Sequence, residues 1–227
     1  MKINADFSRR AVMRAAESDW VPSPMPGVER KMLDRIGDEV ARATTIVRYA
    51  PGSAFSAHTH DGGEEFLVLE GVFSDEHGDF PAGSYIRNPP TSSHTPGSKP
   101  GCVILVKLHQ FDPKDRTHVR LAANKMRGVA PAGRPGVTVT PLYADAREEV
   151  RIEDWSPNAE IRFDAADGAE VFVIQGGLSE RGEALREWDW LRLPPGSTLN
   201  ARAGSQGARV WIKTGHLAEE SATDPDA

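Results

Sequence analysis

The sequence predicts an all-β fold built as two tandem units, and three observations carry that prediction. Runs rich in Val, Ile, Leu, Phe and Trp are short: "EFLVLEGVF", "SYIRNPP", "GCVILVKL", "GVTVTPLY", "EVFVIQGG", "WLRLPPGS" and "ARVWIK". Glycine (21) and proline (17) punctuate them, as in a sandwich or barrel of short strands joined by turns. The third observation is an internal repeat. "GGEEFLVLEG" (62–71) and "DGAEVFVIQG" (167–176) superpose without a gap, and the same offset brings "RNPPTSSH" (87–94) onto "RLPPGSTL" (192–199). A shift of one residue then aligns "GCVILVK" (101–107) with "GARVWIK" (207–213).

Along the chain, helix is expected only at "SRRAVMRAAES" and "ERKMLDRIG". The first β domain is placed at residues 1–125. "NKMRGVAPAGRPG" (124–136), rich in Gly, Pro and basic residues, has the composition of a linker. A second domain follows at 126–217, and the small, acidic residues of 218–227 are expected to form a disordered tail.

The chain has 227 residues and a formal charge of −6, which gives no electrostatic reason to expect nucleic acid or an anionic membrane surface as partner. No apolar run approaches the ~20 residues a membrane helix needs, and the first 20 residues lack the apolar core of a secretion signal. Cys102 is the single cysteine, so neither an internal disulfide nor a cysteine-cluster metal site can form. A reducing cytoplasm is the expected setting.

The repeat sorts polar residues by role. Glu65, Arg87, Pro89, Pro90 and Lys107 recur as Glu170, Arg192, Pro194, Pro195 and Lys213. His58, His60, Glu64 and His94 instead face Phe163, Ala165, Ala169 and Leu199. Four polar residues vanish together while their surroundings persist, as expected of a metal site, since an incomplete ligand set holds its ion poorly. On a strand His58 and His60 project from one face, their Cβ atoms roughly 6–7 Å apart. "DGG" turns the chain so that Glu64, opening the return strand, can reach the same centre, and His94 completes the set. Three neutral imidazoles and a carboxylate leave open positions and suit one divalent transition metal, Zn, Fe, Ni, Mn or Cu, better than Ca or Mg. Phe55 and Tyr85 are candidates to line the pocket beside it. His77, His109, His118 and His216 are assigned to solvated or hydrogen-bonded roles, and Cys102 to a buried, apolar one. Trp155, Trp188, Trp190 and Trp211 are expected to fill core and interdomain contacts.

Gly52, His58, His60, Glu64 and Gly71 fit the first cupin motif, G-x5-H-x-H-x3-E-x6-G, and Gly83, Pro89 and His94 fit the second, G-x5-P-x-G-x2-H-x3-N. The second motif departs at Thr91, where it has glycine, and at Ser98, where it has asparagine. The sequence thus resembles the cupin superfamily, which implies tandem jelly-roll β-barrels, the first metal-binding and the second degenerate. More narrowly, residues 58–94 look like the cupin domain of ChrR-type anti-sigma factors. That resemblance implies metal binding and a stress-response or small-molecule sensing role. Sigma-factor binding is not expected, because such proteins bind their partner through an N-terminal His- and Cys-rich zinc domain, and residues 1–50 contain neither residue. Similar cupins include small dioxygenases acting on β-diketones, so an Fe(II)-dependent dioxygenase of small diketones or phenolic ketones is the alternative. A small-molecule ligand is the expected partner. Monomer and homodimer are both compatible with two cupins in one chain.

Overall fold

The computed structural model describes residues 1–218, so the tail expected from 218 onward lies, but for Ala218, outside the described residues. Among the described residues the architecture is all-β apart from two single-turn 3-10 helices at Ala15–Glu17 and Ala123–Lys125. The chain divides into two compact units. One is Met1–Ala5 with Asp19–Met126, and the other is Asp6–Ser18 with Arg127 onward.

In the first unit the strands Lys2–Ile3, Val28–Gly37, Ala41–Tyr49, Cys102–Leu108, Glu64–Asp75, Tyr85–Asn88 and Val119–Leu121 lie side by side in that order. In the second, the order is Val137–Ala144, Glu149–Trp155, Ser197–Thr214, Ala169–Glu180, Trp190–Leu193 and Ala11–Met13. Both sheets have free ends, so the expected barrels are open jelly-roll sandwiches. A buried apolar cluster fills each unit: Phe66, Val68, Phe73, Ile86, Ile104 and Val106 in the first, Val171, Val173, Leu191, Leu199, Val210 and Ile212 among others in the second.

Neither expected helix forms. "ERKMLDRIG" lies within the Val28–Gly37 strand, bonded to Ala41–Tyr49 on one side and to Lys2–Ile3 and Val21–Pro22 on the other. A bulge between Met32 and Asp34 interrupts its alternation, which is why its apolar residues carry no period of two. "SRRAVMRAAES" supplies the Ala11–Met13 strand and one 3-10 turn. Strand pairing outweighs helix propensity in both, with the adjacent Ala41–Tyr49 in the first and with the distant Trp190–Leu193 in the second.

Residues 6–18, counted with the first domain on sequence, pair with the second unit instead. Ala11 lies opposite Arg192 and Met13 opposite Trp190, the Ala15 amide donates to Asp189, and Phe7 stacks 4.2 Å from the Arg192 guanidinium. A three-residue edge strand far from its partner in sequence leaves no local signal.

The duplicated residues hold the same places in both units. Glu65 stands between Arg87 and Lys107 across three strands, as Glu170 stands between Arg192 and Lys213. Tyr85 Oη donates to Glu65 (2.7 Å) and Trp190 Nε1 to Glu170 (3.0 Å). Gly71 and Gly176 have φ of 69° and 77°, and a Cβ on either would collide with a carbonyl oxygen, that of Gly101 or Gly207. The motif glycine is therefore required twice, by the same crossing of two strands.

Candidate metal centre

The short strands His58–His60 and Ser92–His94 pair antiparallel, with His94 opposite His58 and Ser92 opposite His60. The alternation expected within "HTH" puts both its imidazoles on one side, and this pairing brings His94 to them. Ring centroids are 4.8 Å apart for His58–His60 and His60–His94, and 5.1 Å for His58–His94. Each histidine offers a ring nitrogen within 4.8 Å of the other two. His60 and His94 are buried, while His58 is exposed and its Nδ1 lies 3.2 Å from the Ser56 carbonyl.

Glu64, at the start of the long return strand, completes the group. Its Oε2 is 3.4 Å from His60 Nε2 and 3.6 Å from His94 Nε2, and it accepts a hydrogen bond from Asn88 Nδ2 at 3.1 Å. Both Nε2 atoms are buried without a hydrogen-bond partner. Leaving such an atom unsatisfied costs about 1–3 kcal/mol, and ligation of a shared cation by these nitrogens and the carboxylate oxygen removes that cost. Three imidazoles and a carboxylate are a donor set for a first-row transition metal, so the residues present fit such an ion.

The local field differs from ligand to ligand. Burial, reinforced by His94 and His58, lowers the pKa of His60 against the pull of Glu64 and so favours the neutral ring. Burial also works against the His94 cation, but the carboxylates of Asp75 and Glu64 outweigh it and raise its pKa. Burial of the Asp75 side chain works against its charge, yet His94 and the His77 amide hold its pKa below the usual value.

Thr91, where the motif has glycine, takes φ 72° in the turn leading to His94, and Gly196 takes φ 77° at the matching place in the second unit. The turn is the same in both units, and Thr91 adopts it at a cost. Ser98, the other departure, donates through Oγ to the Val72 carbonyl (2.6 Å) away from the ligand group.

The pocket candidates separate. Tyr85 is fully buried, but its hydroxyl is bound to Glu65, on the face of the strand opposite Glu64, so it does not line this centre. Phe55 packs on Tyr49 (5.3 Å between centroids) and against the core cluster containing Phe73. Phe73 in turn lies 5.8 Å from the His94 ring. Phe73 is the aromatic that sequence reasoning missed; Tyr49 stands behind it at 6.2 Å, and burial together with the Glu64 charge keeps its phenol protonated. Asn88 was missed as well, although the repeat marks it: Leu193 stands in its place. Asp75 leaves a weaker trace, because its counterpart Glu180 is also an acid.

At the equivalent place in the second unit, Phe163 lies opposite Leu199 and Ala165 opposite Ser197, in the register of the histidine pair. Ala165, Ala169 and Leu199 belong to the apolar cluster, and Phe163 packs against it. Among the described residues that interior is filled by hydrocarbon.

Comparison with known proteins bears on the fold. Residues 8–112 match the family model described as ChrR Cupin-like domain. No curated protein sequence matches the chain. Among solved structures, a presumed dioxygenase of Nostoc punctiforme superposes with a TM-score of 0.72 at 13% identity, covering 96% of this chain and 83% of that one. The bacterial pirin YhhW of Escherichia coli, in complex with nickel(II), gives 0.64 at 14% identity, covering 91% and 98%. Streptomyces albus HEPD, with 2-hydroxyethylphosphonate and Fe(II) bound, gives 0.66 at 9% identity, covering 94% and 77%. At such identities the likeness is one of fold.

Proposed function

Residues 8–112 match the ChrR Cupin-like domain model, and on that premise we propose that the chain is a metal-binding bicupin with a sensing role. One divalent transition metal is held in the first unit by His58, His60, Glu64 and His94, while the second unit has no centre of its own. The observation that carries this reading is the pair of buried, unpartnered Nε2 atoms of His60 and His94, both turned to the Glu64 carboxylate. His58, on the exposed side, leaves the centre open to a small molecule.

Such an ion supplies a Lewis-acidic or redox-active position at which a small oxidised molecule can bind. The residues around it set the conditions. Phe73 and Tyr49 give the centre an apolar wall, Asn88 orients Glu64, and the low pKa of His60 keeps its lone pair free. A thiol route to sensing is disfavoured, since Cys102 is buried and burial pushes its pKa up to about 11.

An Fe(II)-dependent dioxygenase of small diketones or phenolic ketones is the second reading. It is favoured by the exposed His58 edge and by the fold shared with Fe(II)-bound HEPD. Metal analysis followed by oxygen-consumption assays on β-diketones and hydroxyacetophenones separates the two. Turnover with Fe(II) supports the enzyme. Tight metal binding without turnover, with an affinity or spectrum that responds to oxidants, supports the sensor.

A further inference from the structure

We propose that Asp75 is a positioning residue for this centre, holding His94 in the orientation and tautomer that turn its Nε2 toward the ion. The inference rests on the metal reading above and adds a residue that no motif contains.

Asp75 Oδ2 faces His94 Nδ1 at 3.4 Å, and the Asp75 side chain has no solvent exposure. Both atoms are buried without a hydrogen-bond partner. A proton on Nδ1 serves both at once once the gap closes by a few tenths of an ångström, and it leaves the Nε2 lone pair for ligation. The carboxylate is itself held, because Oδ1 accepts the His77 amide at 2.7 Å and lies 3.3 Å from His77 Nδ1.

These contacts belong to a ring. Arg120 Nη2 lies 3.3 Å from His77 Nδ1 and 3.5 Å from Asn88 Oδ1, and Asn88 donates to Glu64. The path therefore leaves the centre at His94, runs through Asp75, His77, Arg120 and Asn88, and returns at Glu64. Polar neighbours thus stand behind two of the ligands, His94 and Glu64.

The second unit provides an internal comparison. There Leu199 replaces His94, Leu193 replaces Asn88, and the acid at the Asp75 position is Glu180. Glu180 is fully buried and is gripped by Arg10, whose Nε and Nη2 donate at 3.0 and 2.7 Å. Where the imidazole is gone, the acid has another partner.

Cobalt(II) titration tests the proposal, with affinity taken from chelator competition and the visible d–d spectrum recorded for each protein. The set is wild type, Asp75→Ala, Asp75→Asn and His94→Ala, with the melting temperature of each metal-free protein measured alongside. Asp75→Ala should bind cobalt about 10- to 100-fold more weakly with an altered spectrum. Asp75→Asn, which keeps the volume of the side chain, should show the same changes in a folded protein. Wild-type affinity and spectrum in both variants, beside a His94→Ala protein that has lost cobalt, would overturn the role of Asp75 and leave the metal reading standing. A lowered melting temperature with unchanged cobalt binding would equally reduce Asp75 to a structural residue. Wild-type protein that takes up no cobalt overturns both readings.

Discussion

Glu64 and Glu65 are adjacent on one strand and turn to opposite faces of it. Glu64 Oε2 faces His60 and His94, while Glu65 accepts the Tyr85 hydroxyl between Arg87 and Lys107. Glu64→Gln should therefore cost most of the metal affinity and leave the fold intact. Glu65→Gln should keep the metal and lose about 1–3 kcal/mol of stability, the cost of weakening a buried hydrogen-bonded carboxylate. Metal content and urea unfolding on the two variants check this; equal metal losses would contradict it.

The repeat makes a second pair of positions informative. His94 and Leu199 are equivalent, yet one faces a ligand group and the other a packed apolar core. Leu199→Ala should destabilise by about 2–5 kcal/mol through the cavity it leaves, with metal affinity unchanged. His94→Ala should abolish tight metal binding. Loss of metal in Leu199→Ala would contradict the separation of roles.

Thr91 stands in a left-handed conformation that Gly196 occupies in the other unit. A β-branched residue is strained there by roughly 1–2 kcal/mol, and glycine relieves the strain at some cost in unfolded-chain entropy. Thr91→Gly should raise stability by about 0.5–1 kcal/mol, since the backbone bond from Thr91 to the His60 carbonyl is retained. Thermal unfolding of the variant reads the sign, and a lower melting temperature would contradict it.

Glu153 sets a pH dependence in the second unit. Burial alone raises its pKa, but hydrogen bonds from Arg134, Arg151 and Trp155 and the arginine charges hold it below the ordinary value of 4.5. The folded carboxyl thus binds its proton less readily than the unfolded one. Its stabilisation is present above about pH 4.5 and is lost as the pH falls through the folded pKa. Arg134→Ala should lower stability at neutral pH by about 1–3 kcal/mol and narrow the gap from wild type on acidification. Urea unfolding between neutral and acid pH checks this, and parallel curves for the two proteins would contradict it.

The all-β class, the repeat and the four-residue group were legible because each leaves a local or periodic trace: strand runs with turn signals, a constant offset, and "HTH" followed by a carboxylate. What was hidden has several physical causes. Val28–Gly37 reads as helix because a bulge breaks its alternation, and Ala11–Met13 joins the second unit through a pairing some 180 residues away. Tyr85 was misplaced by a matter of parity, since Asn88 and Glu64 share one face of the sheet and Tyr85 and Glu65 the other. Asp75 lies at the far end of the strand that Glu64 opens, eleven residues from it, where nothing in the local sequence marks it.

Anomalous diffraction from crystals of the metal-loaded protein, collected on either side of the ion's absorption edge, tests the central claim most directly. The account predicts one peak per chain, bounded by the Nε2 atoms of His60 and His94, a ring nitrogen of His58 and a carboxylate oxygen of Glu64. A peak among Phe163, Ala165, Ala169 and Leu199, or one in the first unit that these four side chains do not touch, would contradict it.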